Sequence, residues 1–249
     1  DGSVGAIATV LSGTDVALGV LPCGTGNVWA RGLGLSAPEH PWSRALVPAA
    51  VRQATGCVRD VELGSCNGRL FLLWAGIGLD GHIVHGIEPR GRVARKLGLW
   101  HYFLRGLILA VGWRAASIRV QAGAETFEGN ILCAVATNVP LYAGGLARLD
   151  AGARAQSGSL TLTAFRGEGF LESCIQMGGM IAGRHVNNRN VECGASRRFV
   201  LESDREIPLQ VDGEPGGISR HFEIKVASTR LRVFVPDSLG GSGWHRFWS

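Results

Sequence analysis

Residues 20–27, VLPCGTGN, end an apolar run at a proline and open it into a loop of two glycines, a threonine and an asparagine. The run before it, VALGVL at 16–21, reads as a short buried strand. The run after it, VWARGLGL at 28–35, has helical character from about Val28 and ends in glycine. Strand, glycine-rich loop and helix together aim backbone N–H groups at an anion. Gly24 and Gly26 let a phosphate approach the backbone, and Thr25 offers a hydroxyl. Taken alone, the tetrapeptide reads first as a strand-to-helix turn with Asn27 as its cap.

Upstream, Asp1-Gly2-Ser3 precedes a small, apolar helical stretch at 4–11 and repeats the same design. An acid in such a loop can hold a metal that carries nucleotide phosphates. A plain Asp or Ser helix cap is the simpler reading. Residues 42–54 give a second helix, limited or kinked by Pro48.

After Gly56 the texture changes. Two strand patterns follow, joined by the hairpin signal Asn67-Gly68. A long helix falls near 97–113, and a hairpin-like strand pair at 117–140. SGSLTLTAFRG at 157–167 alternates as a half-buried strand, and FLESCIQMGGMIAG at 170–183 is helical. The remainder alternates as strands. The chain thus divides into an α/β segment at 1–56 and a larger β-rich domain at 57–236, whose last strands are free to return to the first. Residues 237–249 read as a mobile glycine- and serine-rich tail.

The bulk properties fit that division. At 249 residues, with 46% hydrophobic and 18% charged residues, the chain is globular rather than disordered. A net charge of +5 favours an anionic partner: a phosphate ligand, a nucleic acid or an anionic membrane. No run of Lys or Arg longer than a pair such as Arg197-Arg198 occurs, so no nucleic-acid partner is expected. None of the six cysteines forms a CxxC pair, which argues against zinc sites and disulfide frameworks and for buried thiols in a reducing cytosol. No signal peptide is visible, and a cytoplasmic protein is expected. The most apolar run, 97–113, is interrupted by His101 and Arg105 and reads as a buried or interfacial helix.

Three further places can carry chemistry. Asp80, in AGIGLDG, follows a glycine-flexed strand and reads as a turn residue. Asn138, Tyr142, Gly144 and Gly145 share a loop between strands. Asp212 and Glu214, in LQVDGEPGG, stand at a tight turn after a strand. Locally this is an Asp-Gly β-hairpin, and functionally it is a carboxylate base held at a strand end.

The order of these pieces (DGS at 1–3, VALGVLPCGTGNVWARGLGL at 16–35, FLLWAGIGLDG at 71–81, NVPLYAGG at 138–145, SGSLTL at 157–162, LQVDGEP at 209–215) resembles the diacylglycerol kinase catalytic family. That family includes bacterial lipid kinases and sphingosine kinases. The resemblance runs from Asp1 to about Pro236. It implies a Rossmann-like α/β nucleotide domain related to NAD kinases, followed by a β-sandwich-like domain, with the active site in the cleft between them. It also implies that the chain starts inside the family's GGDGT motif, with about half of the first domain lying before Asp1. An incomplete nucleotide domain would expose apolar surface, so a homodimer or segment swap is expected.

By the same resemblance, Gly24, Thr25, Gly26 and Asn27 contact ATP phosphates, as do Asp1, Gly2 and Ser3. Glu214 is the general base for the lipid hydroxyl and Asp212 positions its turn. Mg²⁺ accompanies ATP, with Asp80 a candidate ligand. The expected activity is ATP-dependent phosphorylation of a diacylglycerol-like or sphingoid lipid by a protein peripheral to the membrane, which the helix around Trp100, Tyr102 and Phe103 would support. Several positions depart from the family pattern. The family's Asn-Glu pair falls on Gly5-Ala6, an acid after GTGN on Val28, and a structural Mg²⁺ ligand on Ser157. These departures favour as a rival a lipid-binding pseudokinase, possessing the fold without the chemistry. The superfamily's shared loop design gives a third reading, an NAD kinase-type enzyme, against which the DGEP turn and the YAGG segment favour the lipid branch.

Overall fold

The computed structural model describes residues 2–24, 26–35, 46–88, 98–145, 147–149, 158–185 and 188–236. The side chains of residues 98–103, Trp100, Tyr102 and Phe103 among them, lie outside this description, as do Asp1, Thr25, Ser157 and the tail at 237–249.

The first part is α1 (Gly2–Leu11), β1 (Ala17–Leu18), α2 (Val28–Gly32) and α3 (Leu46–Ala54). The strand expected at 16–21 shrinks to the two residues of β1, which pair in parallel with the last strand of the chain, Ala17 opposite Arg232 and Leu18 opposite Val233. A side chain explains why it stops. Buried Gln53 of α3 accepts the Val20 N–H at 2.8 Å and donates to the Val20 carbonyl at 2.8 Å. Its amide supplies the two bonds that a neighbouring strand would otherwise supply. The helix after the glycine loop is likewise short, at five residues.

Next come β2 (Cys57–Cys66), β3 (Arg69–Phe71), β4 (Trp74–Gly78), α4 (Leu79–Ile87) and α5 (Gly98–Val111). Asn67 and Gly68, at φ 47° and 83°, turn β2 into β3 with the two positive φ values of a type I′ hairpin. The rest is β5 (Ala116–Ala122), β6 (Glu125–Thr137), β7 (Leu141–Tyr142), β8 (Ala147–Arg148), β9 (Leu160–Arg166), α6 (Phe170–Ile181), β10 (Val191–Ser196), β11 (Arg198–Val211) and β12 (Glu214–Val235).

Ten strands form one sheet, ordered β10-β9-β6-β4-β11-β12-β2-β3, with β1 on β12 and β5 bridging β6 and β11. The pairs β4–β6, β6–β5, β5–β11 and β11–β4 close a circuit. Ile77, Ile118, Ile131, Leu162, Phe199 and Phe222 belong to the core of this β-sandwich-like part. A second core, with Trp29, Leu33, Val61, Leu231 and Val233, lies beneath the first helices.

β9 departs from the expected half-buried alternation: Leu160 through Phe165 are all buried. It is an interior strand between β6 and β10, with Leu160, Leu162 and Ala164 in one core and Phe165 in the other. Its threonines satisfy strand geometry rather than mark a wet face.

Candidate active site

The turn between β11 and β12 is the Asp-Gly hairpin that the sequence offers. Asp212 and Gly213 take φ 49° and 85° between the paired residues Val211 and Glu214, so this is an Asp-Gly hairpin. The Asp212 side chain does not stay in the turn. Its Oδ2 accepts the Leu72 N–H at 2.8 Å, and its Oδ1 accepts those of Leu73 at 2.9 Å and Trp74 at 3.0 Å. One carboxylate therefore satisfies three backbone donors of the β3–β4 connection. Burial pushes its carboxyl up to about 6, against the opposing pull of those three N–H groups. Asn138 braces the same connection, donating to the carbonyls of Leu72 at 3.0 Å and Glu62 at 2.7 Å.

With Asp212 anchored inward, Glu214 is left exposed beside α1. A Cβ placed on Gly2 would stand 2.7 Å from Glu214 Oε1, and one on Gly5 would stand 3.0 Å from Asp212 Oδ2. The departure at Gly5 thus leaves room for the helix to lie against the Asp212 carboxylate. A register shift between Leu209 and Gln210 marks a bulge opposite Gly216 just before this turn. Such bulges re-aim side chains.

Asp80 is not a turn residue. It stands in the first turn of α4, a helix that begins directly at the end of β4. Hydrogen bonds from Tyr142 and Gln210 reach its carboxylate, the Gln210 Nε2 at 2.6 Å. Burial raises its carboxyl above the ordinary range, outweighing these two donors. Tyr142 also packs edge-on against Trp74, ring centres 5.4 Å apart. Among the described residues, no three His, Cys, Asp or Glu side chains gather into a metal-holding group.

The glycine loop has its own internal brace. Asn27 caps nothing with its side chain and sits at φ 48°. Its Oδ1 accepts the Gly24 N–H at 2.7 Å and its Nδ2 donates to the Gly24 carbonyl at 2.6 Å. Asn27 therefore shapes the loop, and its amide and the Gly24 N–H are both committed within it. Arg31 ties the following helix to the YAGG loop, donating to the Gly144 carbonyl at 2.9 Å.

These pieces meet at one cavity of about 320 Å³. Its polar end carries Gly2, Gly26, Asp80, Asp212 and Glu214, and its apolar wall comes from α4, α5 and α6, with Ile83, Leu107, Ala110, Met177 and Met180. Ser3, Ala6 and Gly24 are exposed and Asn27 is buried, and none of these four lines it, whereas Val28 does. Gln210 lines it too, and the sequence reading passed over it. Its signal was a polar residue between Leu209 and Val211, in a strand otherwise reading as core.

Residues 78–235 match the family model of the YegS C-terminal NAD kinase beta sandwich-like domain, and residues 1–66 match that of the diacylglycerol kinase catalytic domain. The chain belongs to the diacylglycerol kinase family. A diacylglycerol kinase from Bacillus subtilis strain 168 is 24% identical over 220 residues, covering 88% of this chain and 70% of that protein. An Escherichia coli protein named "Probable lipid kinase YegS" (strain SMS-3-5) is 27% identical, over 95% of this chain and 76% of its own. The fold agrees with a solved diacylglycerol kinase structure from Bacillus anthracis strain Sterne at a TM-score of 0.57 and 15% identity, covering 89% and 68% of the two chains. A further structure from that organism aligns at 0.65 and 17% identity, over 89% and 70%. The LQVDGEP segment and Asp80 fall in the region matched at 78–235, and GTGN in that at 1–66.

Proposed function

We propose that this lipid kinase transfers the γ-phosphoryl group of ATP to a hydroxyl of a diacylglycerol-like or sphingoid lipid. The observation that supports this reading most is the single cavity that joins glycine-loop backbone, an exposed glutamate and an apolar wall. Its volume lies at the lower end of the ~300–1,000 Å³ of small-molecule sites. On this reading residues 1–56 are the C-terminal part of a Rossmann-like nucleotide domain. The backbone around Gly2 and Gly26 meets the ATP phosphates, where small residues permit close approach. The lipid chain lies along Ile83, Leu107 and Met177, which directs its hydroxyl to Glu214.

Glu214 accepts the hydroxyl proton as the oxygen attacks phosphorus, and the leaving oxygen departs with ADP. Phosphoryl transfer asks mainly for positioning and charge stabilisation. Mg²⁺ would supply charge neutralisation when bound with ATP. The described side chains do not by themselves form its site: Asp212 is spent on three N–H groups, and Asp80 on Gln210 and Tyr142.

Among the described residues no helix is long and apolar enough to cross a membrane. We propose a peripheral encounter with the bilayer, through the outward faces of α5 and α6. Leu104, Ile108 and Val111 are exposed on the first, and Leu171 and Ile175 on the second.

The test is phosphorylation of dispersed diacylglycerol, of sphingosine and of NAD by the full chain and by Glu214→Gln. Diacylglycerol or sphingosine turnover is expected, falling by about 10²–10⁴-fold in Glu214→Gln with an unchanged melting temperature. Equal turnover in both proteins would remove Glu214 from its role. ATP binding without transfer to any acceptor would favour the pseudokinase, and transfer to NAD alone would favour the NAD kinase-type rival.

A further inference from the structure

Gln210 is fully buried, in β11 between Leu209 and Val211. Both ends of its amide are used. Oε1 accepts the Gly213 N–H at 2.8 Å, and Nε2 donates to Asp80 Oδ2 at 2.6 Å. The orientation of the amide is unambiguous, because a backbone N–H can only donate. Oε1 must therefore face Gly213, and Nε2 must face the acceptor, Asp80.

The surroundings are shaped around this contact. At Gly76 of β4, directly across the ladder from Gln210, a Cβ would fall 1.6 Å from Asp80 Oδ2 and 2.6 Å from Gln210 Nε2. Three elements, β4, α4 and β11, thus leave space for one amide–carboxylate bond. A buried amide costs free energy unless both ends are paired. An apolar residue would fill the same strand position without that requirement. What the amide adds is a fixed geometry: it ties Asp80, at the cavity wall, to the residue immediately before Glu214.

We infer that Gln210 is a positioning residue for phosphoryl transfer, holding the Glu214 turn in register with Asp80 at the acceptor end of the cavity. The inference rests on the kinase reading. Through Gly213, Gln210 sets where the Glu214 carboxylate stands relative to a hydroxyl arriving beside Asp80. Misplacement of a reacting group by about 1 Å can cost on the order of 10²-fold in rate. The glycine loop at Gly26 is built from other elements and is braced by Asn27 rather than by this bond.

The experiment uses the full chain with Gln210→Met and Gln210→Glu. Met keeps the volume and removes both bonds, whereas Glu keeps an acceptor for Gly213 and loses the donor to Asp80. Two readouts are taken: steady-state kinetics with ATP and dispersed dioctanoylglycerol, and amide hydrogen exchange of the 210–214 segment. For Gln210→Met, kcat is expected to fall 10- to 100-fold, KM for ATP to stay within twofold, and Gly213 to exchange at least tenfold faster. For Gln210→Glu, Gly213 is expected to keep its slow exchange while kcat still falls. A residue that merely supports the fold would lower the melting temperature without this separation of kcat from ATP binding. Wild-type kcat in Gln210→Met, or unchanged Gly213 exchange in it, would overturn the proposal. If the wild-type chain phosphorylates no lipid, the kinase reading fails, and the exchange of Gly213 still decides whether Gln210 holds the turn.

Discussion

Asp212 shows how one residue can serve two structural ends at once. As the first residue of a type I′ turn it tolerates φ 49°, and as a buried carboxylate it closes three backbone donors. Its raised carboxyl has a consequence for stability. In the unfolded chain it loses its proton near the ordinary 3.8, whereas in the fold it keeps it up to about 6. The fold therefore binds more protons between these values, and stability falls as pH rises through them. Below about 3.8 this contribution is fully present, and above about 6 it is gone. A separation of this size corresponds to roughly 3 kcal/mol. Asp212→Asn has no such titration. The stability of wild type relative to Asp212→Asn, measured by denaturant unfolding, is expected to decline by up to about 3 kcal/mol from pH 4 to pH 7. A difference that does not vary with pH would show that Asp212 does not titrate in this window.

At the scale of elements, the hairpins were legible and α4 was not. Asn67-Gly68 and Asp212-Gly213 announce two-residue turns by local chemistry alone, and the strands on either side supply the alternation. α4 follows β4 with no linker, and its Asp80 and Gly81 resemble a turn. What makes it a helix is tertiary. It lies so close on β11 that a Cβ at Gly81 would stand 2.3 Å from the Pro208 carbonyl oxygen. His85 Nε2 meets the Leu209 carbonyl at 2.9 Å one turn on. The glycine that looked like a turn signal is therefore a contact point. The same holds for β1, cut short by a Gln53 amide that lies far along the chain, and for Asn27, which braces its loop instead of capping a helix. Gly81→Ala must push α4 away from a backbone carbonyl that cannot yield. It is expected to cost about 1–3 kcal/mol in chemical denaturation and to weaken the Asp80–Gln210 contact along with it. A change within about 0.5 kcal/mol, the usual range for a neutral surface substitution, would mean that the helix does not need this approach.

For the whole molecule, the family and the order of its motifs were readable from the chain, whereas the site's cohesion was not. It depends on β11 carrying Gln210 and Asp212 past both β4 and α4, a juxtaposition that no local pattern encodes. The global arrangement also places the apolar wall of the cavity on the inner sides of α5 and α6, whose outer sides expose Leu104, Ile108, Leu171 and Ile175. For the proposed peripheral contact, charge favours an anionic bilayer. α5 has no acidic residue, and the single acid of α6, Glu172, bonds back to the Gly169 N–H at 3.3 Å. Arg105, Arg114 and Arg184 are exposed on or next to these helices. Each apolar side chain buried in lipid contributes about 1.5–3 kcal/mol, and each arginine near an anionic surface about 1 kcal/mol. Ile108→Glu with Leu171→Glu removes two anchors and adds two repelled charges, without touching a residue that lines the cavity. Sedimentation with vesicles containing phosphatidylglycerol is expected to fall at least tenfold for this double variant, while turnover of dioctanoylglycerol in detergent micelles stays near wild type. Vesicle binding equal to wild type would move the membrane contact to another face. Loss of micellar turnover together with binding would show that these helices serve the cavity itself rather than the bilayer.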